Sequence, residues 1–322
     1  MPSYRDFLDA LGERESGGDY GIVNTLGYLG KYQFGEPALI DVGYYAADGT
    51  GANDWKPAFF TGKEGVESKA DFLADGAAQE HAIRAYMKLQ WAYLGETQRY
   101  AGQVIGGIAI TESGLLAGAH LLGAGAVAAF LDAGAVAPPK DAYGTAITEY
   151  MTLFSGYDTP FAADHSRGET IAGGPTDDIL RGFGGKDRLS GEGGDDRLKG
   201  GPGADFIDGG EGGDWLSGGR GSDVFRFASL PDSGEHDLIR DFRAGRDTIV
   251  LDGDVFSVLP LGPLDADMFR AGNAKDGDDH ILYGRATGAL RYDEDGSANG
   301  DVAIFAVLAG HTRLAAADIV VT

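Results

Sequence analysis

The feature that most constrains the fold of this chain is a run of six nine-residue repeats between Gly173 and Arg226. They read GGPTDDILR, GFGGKDRLS, GEGGDDRLK, GGPGADFID, GGEGGDWLS and GGRGSDVFR, without insertion or deletion. The sixth position is always aspartate: Asp178, Asp187, Asp196, Asp205, Asp214 and Asp223. The eighth is always large and apolar: Leu180, Leu189, Leu198, Ile207, Leu216 and Phe225. A flexible glycine-rich linker needs neither this register nor this apolar period, so the repeats predict an ordered structure.

Each repeat joins a glycine-rich turn to a very short strand, and this combination predicts calcium binding. Glycine takes positive φ without steric cost, so backbone carbonyls in the turn can face a cation. Aspartate adds a hard carboxylate oxygen, and calcium takes about six to eight oxygen ligands. The predicted ligands are the six aspartates and the carbonyls of Gly185, Gly194, Gly203 and Gly212. Thr176, Phe183 and Glu192 replace repeat glycines in the first three units, where we expect weaker sites.

The nonapeptide resembles the calcium-binding repeat of RTX proteins. The resemblance implies a right-handed parallel β-roll over residues 173–226, in which one repeat forms half a coil. Each apolar eighth residue then faces the interior of the roll, because side chains alternate between the two faces of a strand. Several structural Ca²⁺ ions would lie between turns of successive coils.

Residues 227–322 predict further strands that cover the open end of the roll as a β cap. The segments that begin at Asp237 and Asp247, and later HILYG, ALRYD and VAIFAVL, have strand character. DEDGSANGD, with Asp293, Asp295 and Asp301, starts like an EF-hand but lacks a correctly placed glutamate, so we interpret it as a turn. The region resembles the C-terminal module of serralysin-type secreted proteases. That resemblance implies type I export, with the type I secretion machinery as a partner and a secreted, extracellular product.

Composition limits the possible functions. The 322 residues allow two domains, and the formal net charge of −24 argues against a nucleic-acid partner and favours cation binding. Cysteine is absent from the sequence, which excludes disulfides and thiolate chemistry. No apolar run predicts a membrane span, and the polar start MPSYRD predicts export without an N-terminal signal peptide. The HExxH zinc motif of the serralysin-type proteases is missing, so protease activity is not implied.

The N-terminal half predicts a mainly helical domain. Tyr4, Phe7, Leu8 and Leu11 follow helical spacing after a capping Ser3. Further helices are expected over about 36–45, 66–94, 108–131 and from 141 through Tyr150 to Phe154. The predicted organisation is an all-α domain at 1–157, a linker at 158–172, the roll at 173–226 and the β cap with its secretion module at 227–322.

The candidate catalytic stretch is Glu15-Ser16-Gly17-Gly18, at the predicted end of the first helix. A glutamate beside apolar residues in a cleft can act as a general acid. Glu112-Ser113 is a second Glu-Ser pair, but apolar helix continues after it. Aromatic side chains stack on pyranose rings, so Tyr28 and Tyr32 are candidate cleft residues.

Four segments give residues 3–157 a resemblance to the lysozyme-like lytic transglycosylases. They are Glu15-Ser16, Gly27 to Phe34, Ala117 to Val127 and Gly144 to Tyr150. The resemblance implies a lysozyme-like fold, Glu15 as the catalytic acid, and Ser16, Gln33, His120 and Tyr150 as substrate-binding residues. Lys31-Tyr32 and His120-Leu121 depart from the family's Leu-Met and Tyr-Asn pairs, which implies a relaxed pocket or a distinct branch.

The family uses one glutamate to cleave the bond between N-acetylmuramic acid and N-acetylglucosamine in the glycan strands of peptidoglycan. The expected function is therefore a secreted, calcium-dependent lytic transglycosylase. A second carboxylate would give hydrolysis instead, and Asp19, Glu36 and Asp41 are the nearest candidates. A lysozyme-type muramidase, a chitin-active hydrolase and a non-catalytic glycan-binding surface or matrix protein remain alternatives.

Overall fold

The computed structural model describes residues 1–230, 235–296, 302–310 and 313–322. The chain forms two compact units. The first comprises Met1–Ala101, Ile110–Ala129 and Pro138–Ala162, and the second Gly102–Ala109, Phe130–Ala137 and Ala163–Thr322. The stretches 102–109 and 130–137, which the sequence placed in the N-terminal domain, thus group with the second unit. Asp301 of the predicted EF-hand-like turn lies outside the described residues.

The first helix, α1 (Tyr4–Ser16), confirms the predicted helix and its cap. Ser3 accepts a hydrogen bond from the backbone N–H of Asp6, while the Asp6 carboxylate accepts from the N–H of Ser3. Gly17 ends the helix in the left-handed conformation at φ 67°. Phe7, Leu8 and Leu11 are fully buried, so one face of α1 packs into the core and Glu15 lies in the last turn.

The other helices are shorter than the sequence predicted, and capping residues interrupt two of the four expected spans. They are α2 (Glu36–Asp41), α3 (Lys69–Ala74), α4 (Gly76–Leu94), α5 (Glu112–Leu122), α6 (Ala124–Asp132) and α7 (Ile147–Leu153). The expected helix over 66–94 breaks at Asp75, whose extended backbone and side chain cap α4. The expected helix over 108–131 starts only after Thr111, which caps α5, and breaks at Gly123. Among the described residues, only the bent pair α5 and α6 taken together reaches the length and apolarity of a membrane span, and no single helix does.

An aromatic core holds α1 against the segment that contains α7. The ring of Phe7 meets that of Phe154 edge-on, with centroids 5.9 Å apart, and Tyr150 packs on Phe154 at 5.5 Å. Leu116 and Ala117 of α5 belong to the same buried cluster. These contacts bring the end of α1 beside α5 and α7, which carry His120 and Tyr150.

The second unit consists of two sheets between which the repeats alternate. The strands are β1 (Val104–Ile105), β2 (Ile108–Ala109), β3 (Thr170–Gly174), β4 (Ile179–Arg181), β5 (Arg188–Glu192), β6 (Arg197–Pro202), β7 (Phe206–Asp208), β8 (Trp215–Arg220), β9 (Val224–Phe227), β10 (Asp237–Ile239), β11 (Thr248–Leu251), β12 (Gly262–Pro263), β13 (Phe269–Arg270), β14 (Ile281–Tyr283), β15 (Ala289–Asp293), β16 (Val302–Leu308) and β17 (Ile319–Val321). One sheet has the order β13-β14-β15-β16-β10-β8-β6-β4-β1-β2, and the other β12-β17-β11-β9-β7-β5-β3.

The register of the parallel strands follows the repeat. Leu180 pairs with Leu198 and Leu198 with Leu216, so neighbouring strands of one sheet are two repeats apart. All six apolar eighth residues are at most 2% exposed. The arrangement agrees with the predicted parallel β-roll, in which one repeat forms half a coil.

The sheets continue beyond the six repeats at both ends. β3 begins at Thr170, inside the segment predicted as a linker, and Val104 of β1 pairs with Ile179 of β4. At the other end, β10 and β11 add parallel strands next to β8 and β9. The predicted C-terminal strands form, but they extend the two sheets of the roll: β16 pairs with β10, and β17 with β11.

Candidate functional site

The repeat aspartates form two ladders inside the roll. In each ladder, Oδ1 of an aspartate accepts the backbone N–H of the aspartate two repeats earlier. The donor–acceptor distances are 2.7 Å for Asp178 to Asp196, 2.9 Å for Asp187 to Asp205, 2.9 Å for Asp196 to Asp214 and 3.1 Å for Asp205 to Asp223. The bond spaces successive carboxylates by one coil, so the ladder is a direct product of the repeat length.

The second oxygen of these carboxylates fits a bound cation. All six aspartates are at most 2% exposed. Within the described part of the chain, Oδ2 is buried without a hydrogen-bond partner in Asp187, Asp196, Asp205, Asp214 and Asp223. Asp178 differs, because its Oδ2 accepts the N–H of Gly174 at 2.6 Å. A buried, unpartnered carboxylate oxygen is costly, and a hard divalent cation is the partner that removes this cost.

The glycine turns also fit the predicted calcium sites, because they bring backbone carbonyl oxygens close to the glycine of the next coil. A Cβ at Gly203 would lie 1.6 Å from the carbonyl oxygen of Gly185, and one at Gly212 would lie 2.2 Å from that of Gly194. No other residue fits such a close approach. Phe183 and Glu192, which replace repeat glycines, are held at φ 64° and 74°, a strained conformation for side-chain-bearing residues.

Burial raises the pKa of every repeat aspartate above its ordinary value. The pKa of Asp196 rises to about 8 and that of Asp214 to about 6, with backbone hydrogen bonds opposing the shift. Neighbouring carboxylates raise both pKa values further. The ladder is therefore a stack of acids that resist ionisation unless a cation neutralises them.

Two ladder residues lie beyond the repeats. Oδ1 of Asp237 accepts the N–H of Asp214 at 3.1 Å, and Oδ1 of Asp247 accepts that of Asp223 at 3.2 Å. The sequence pattern predicts only that these two residues begin strands. The available signal was local: an apolar residue, Ile239 or Ile249, follows each aspartate by two positions, as in the repeats. The nine-residue register is lost there, which hid the correspondence.

At the Asp223–Asp247 step an internal cation is already present. The Arg243 guanidinium lies 3.5 Å from Oδ2 of Asp223 and 3.5 Å from Oδ2 of Asp247. It also donates hydrogen bonds to the carbonyls of Gly219 and Gly221. Arg243 thus contacts aspartate carboxylates and glycine carbonyls, the two kinds of group that are predicted to bind calcium between the earlier repeats.

The first unit contains a cleft of about 120 Å³ built around Glu15. The hydroxyl of Tyr150 donates to Oε1 of Glu15 at 2.6 Å, and Nε2 of His120 lies 3.7 Å from the same oxygen. The Glu15 side chain is 15% exposed, so it is sheltered yet reachable. The lining residues are Glu15, Asn24, Leu26, Tyr28, Gln33, His120, Leu121, Asp141, Ala142 and Tyr143.

Burial fixes the protonation of the two groups next to Glu15. It raises the pKa of Tyr150 well above its usual range, and the charge of Glu15 adds to the shift. Burial also lowers the pKa of His120, with Glu15 opposing. Tyr150 is therefore a permanent hydrogen-bond donor and His120 a neutral imidazole at neutral pH.

The structure brings together five of the predicted site residues: Glu15, Tyr28, Gln33, His120 and Tyr150. Gln33 has φ 50°, and its amide donates to the carbonyl of Gly30 at 2.8 Å, so the turn itself orients it. Such strained positions cluster at functional sites.

Two predicted substrate-binding residues do not line the cleft. Tyr32 is fully buried and donates to Oε1 of Glu80 at 2.7 Å, so its ring belongs to the core. Ser16 Oγ lies 2.9 Å from the carbonyl oxygen of Lys31, which ties the end of α1 to the following loop. Their roles in the described structure are therefore structural.

The second-carboxylate prediction also needs correction. Asp19, Glu36 and Asp41 do not line the cleft, whereas Asp141 does. Sequence reasoning considered Asp141 only as a helix start, and it missed Tyr143. The alternative acid Glu112 begins α5 behind its Thr111 cap, and the adjacent Ser113 is fully buried.

Comparison with known proteins identifies the repeat region. The family described as the RTX calcium-binding nonapeptide repeat (4 copies) matches residues 166–198 and 190–225. Among solved structures, the chain resembles the solution structure of the AlgE6R2 subunit of the Azotobacter vinelandii mannuronan C5-epimerase, at 27% identity and a TM-score of 0.33, covering 49% of this chain and 93% of that one. The AlgE6R3 subunit of the same enzyme gives 26% identity and a TM-score of 0.27, covering 50% and 82%.

A search of curated proteins gives no match. The repeat family alone therefore supports the assignment, and it covers the part of the chain in which the aspartate ladders lie. Proteins with these repeats are typically secreted by the type I route. Residues 166–225 of this chain are RTX calcium-binding nonapeptide repeats.

Proposed function

We propose that this protein is a secreted, calcium-dependent glycosidase that cleaves the β-1,4 bond between N-acetylmuramic acid and N-acetylglucosamine in peptidoglycan. The observation that carries the proposal is the 2.6 Å hydrogen bond from Tyr150 to Glu15 inside a cleft that Gln33 and His120 also line. These residues come from segments far apart in sequence and match the expectation drawn from the lytic transglycosylase resemblance.

Glu15 has the central role in the proposed reaction. As a general acid it gives its proton to the glycosidic oxygen as the C1–O4 bond breaks. The substrate's own 6-hydroxyl then attacks C1 to form the 1,6-anhydro ring, and its proton returns to Glu15. Between the two proton transfers Glu15 is a carboxylate. The hydrogen bond from the Tyr150 hydroxyl then holds Oε1 of Glu15 in place.

The cleft wall suits a sugar chain. Tyr28 and Tyr143 are 36% and 61% exposed, and both line the cleft. The hydroxyl of Tyr143 lies 3.2 Å from Oγ1 of Thr25, which links the loop after α1 to the loop before α7. Exposed aromatic rings with a few polar groups are typical of ligand clefts, so these two tyrosines are our candidates for stacking on pyranose rings.

For the repeats, we propose that the glycine carbonyls and the unpartnered Oδ2 atoms that Arg243 does not contact are the calcium ligands, and that Asp237 continues the series. Ion binding would then be coupled to folding, because the carboxylates can be ionised and buried together only with the ions present. In low calcium the acidic repeats would stay unfolded, which suits export, and the roll would form outside the cell.

Purified peptidoglycan is the substrate for the test, with the full chain in calcium. We expect 1,6-anhydromuropeptides by mass spectrometry from wild type. Glu15→Gln should lose about 10²–10⁴-fold in rate, the usual contribution of a general acid. Glu13→Gln is the matched control, since Glu13 is an exposed acid on the same helix. An inactive wild type would refute the proposal and favour a non-catalytic glycan-binding protein; activity that survives Glu15→Gln would place the acid elsewhere.

Lysozyme-type hydrolysis is a second candidate, because the Asp141 carboxylate lines the same cleft as Glu15. A second carboxylate could activate water in place of the 6-hydroxyl. The same digest separates the two outcomes, since hydrolysis leaves ordinary reducing ends. A hydrolase would also lose activity in Asp141→Asn, and parallel digestion of chitooligosaccharides tests chitin as a substrate.

A further inference from the structure

Glu36, the first residue of α2, has a buried carboxylate, and one of its two oxygens has no hydrogen-bond partner among the described residues. The residue is 1% exposed. Its Oε1 accepts the backbone N–H of Trp55 at 2.7 Å, but Oε2 is buried without a hydrogen-bond partner in the described structure. Leaving a buried acceptor unpaired destabilises the fold, and a charged acceptor does so more strongly. The fold tolerates this cost, and the surroundings of Glu36 indicate why.

Two further carboxylates converge on Glu36 from the loop after α2. One carboxylate oxygen from each of Glu36, Asp48 and Asp54 lies within 4.8 Å of the others. The side chain of Asp48 is 1% exposed, and its Oδ1 accepts from the backbone N–H and the hydroxyl of Thr50 at 2.8 Å and 3.0 Å. Asp54 is 40% exposed and forms the solvent side of the cluster.

Lys56 supplies part of the positive charge that this cluster needs. Its ammonium lies 2.5 Å from Asp48 and 3.1 Å from Asp54. Within the described chain it makes no ion pair with Glu36, so three carboxylates face one ammonium. The Lys56 side chain is 42% exposed, and its flexible stem allows the ammonium to leave for water.

We propose that Glu36, Asp48 and Asp54 form a calcium site in the first unit, separate from the repeats. The three acidic side chains offer only hard oxygens, the ligands that calcium prefers, and no soft sulfur or imidazole that would favour a transition metal. Oε2 of Glu36 gains its missing partner. The ion displaces the Lys56 ammonium, and water completes its coordination on the Asp54 side.

The site is connected to the wall of the Glu15 cleft. Asn53 donates from Nδ2 to the carbonyl of Leu26 at 3.1 Å, and the indole of Trp55 donates to the carbonyl of Gly27 at 2.6 Å. Leu26 and its near neighbour Tyr28 line the cleft. An ion that fixes the loop 48–56 therefore also fixes this wall. Only this coupling rests on the proposed function, because metal binding can be measured without substrate.

Terbium, a luminescent calcium substitute, tests the site in the full chain. Trp55 follows Asp54 directly and should sensitise terbium bound there. The background carries Trp215→Phe, because Trp215 lies beside the repeat aspartates Asp178 and Asp196. We expect tryptophan-sensitised terbium emission from the wild-type site. Glu36→Gln and Asp54→Asn should each lower the number of terbium ions bound per chain by one. Calcium should quench that emission, and magnesium at the same concentration should not.

Glu67→Gln is the matched control, since Glu67 is an exposed acid on the same unit. Asp54→Asn guards against misfolding of the buried variant, because Asp54 is exposed, and helical circular dichroism verifies both. Lys56→Gln should tighten terbium binding about tenfold or more, since it removes a competing positive charge. The assignment is overturned if Glu36→Gln and Asp54→Asn bind like Glu67→Gln, if Lys56→Gln weakens binding, or if magnesium competes as well as calcium.

Discussion

At the scale of single residues, the cleft depends on a phenol that cannot ionise and that contacts the Glu15 carboxylate. Tyr150 is 5% exposed, and its burial raises its pKa far above neutral, so its hydroxyl always donates to Glu15. His120, buried and neutral, packs against the ring of Tyr86, with the ring centroids 6.1 Å apart. Tyr150 and His120 thus keep fixed protonation states beside Glu15 at neutral pH.

Removing the Tyr150 hydroxyl should slow turnover without weakening substrate binding. We expect Tyr150→Phe to reduce kcat about 10- to 100-fold, with KM nearly unchanged, since a hydrogen bond to a charged group contributes about 1.5–3 kcal/mol. Tyr157→Phe is the control, because it removes a phenol from the same unit outside the cleft lining. If KM changes in Tyr150→Phe and kcat does not, Tyr150 contacts substrate and does not position Glu15.

At the scale of elements, the strands of the roll are too short to be stable alone, and stacking supplies their stability. β4, β7 and β10 have three residues each, yet every eighth-position side chain is buried. The carbonyl-to-glycine approaches between coils set the spacing of the stack. A single added methyl group should therefore act on two neighbouring coils.

Two glycines of the roll, Gly203 and Gly213, differ in the space available for an added methyl group. Gly203→Ala places a methyl group 1.6 Å from the carbonyl oxygen of Gly185, whereas nothing lies closer than 3.6 Å to a Cβ at Gly213. We expect Gly203→Ala to destabilise the calcium-loaded roll by about 1–3 kcal/mol, the usual range for overpacking. Calcium titration followed by circular dichroism measures the shift. Equal midpoints for Gly203→Ala and Gly213→Ala would contradict the stacking geometry.

At the scale of the whole molecule, acidic charge governs when the roll can fold. The chain carries a formal charge of −24, and eight ladder aspartates, including Asp237 and Asp247, are buried. Calcium resolves this conflict by neutralising ionised carboxylates. Protons can do the same without calcium, which makes the effect of pH a clean test.

In chelator, acid should favour the roll and base should unfold it. Burial raises the folded-state pKa of Asp214 to about 6 and of Asp196 and Asp237 to about 8. An unfolded aspartate has a pKa of about 3.9. The stabilisation from protonation is therefore complete below about pH 4 and is lost as pH rises through about 6 to 8. Circular dichroism of the chelated chain between these values measures it.

Calcium should reverse this trend, because the ion binds carboxylates and not carboxylic acids. The calcium-loaded roll is then expected to be more stable at about pH 8 than at about pH 5. A chelated roll that is equally stable at both pH values would show that the ladder aspartates do not control folding. Thermal unfolding with and without calcium provides the comparison.

The roll could be predicted from the amino-acid sequence, because the information that specifies it is local and repeated. The nine-residue period fixes which residues turn, which ligate and which face inward, and the parallel register follows from the repeat length. The cap of α1 at Ser3 and its end at Gly17 were equally local. Glu15, Tyr28, Gln33, His120 and Tyr150 were predicted from short motifs, and the structure places them around one cleft.

The other features could be recognised only in the folded chain, because they depend on contacts between residues distant in sequence. Tyr32 belongs to the core, where its hydroxyl donates a hydrogen bond to Glu80, 48 residues later in the sequence. Asp141 lines the Glu15 cleft, and Asp19, Glu36 and Asp41 do not, because Tyr150 of α7 contacts Glu15 of α1 and the segment before α7 comes with it. Asp237 and Asp247 join the ladders through strand pairing, and the nine-residue repeat, which ends at Arg226, does not predict it. The unpaired oxygen of Glu36 can be recognised only once its burial and neighbours are known.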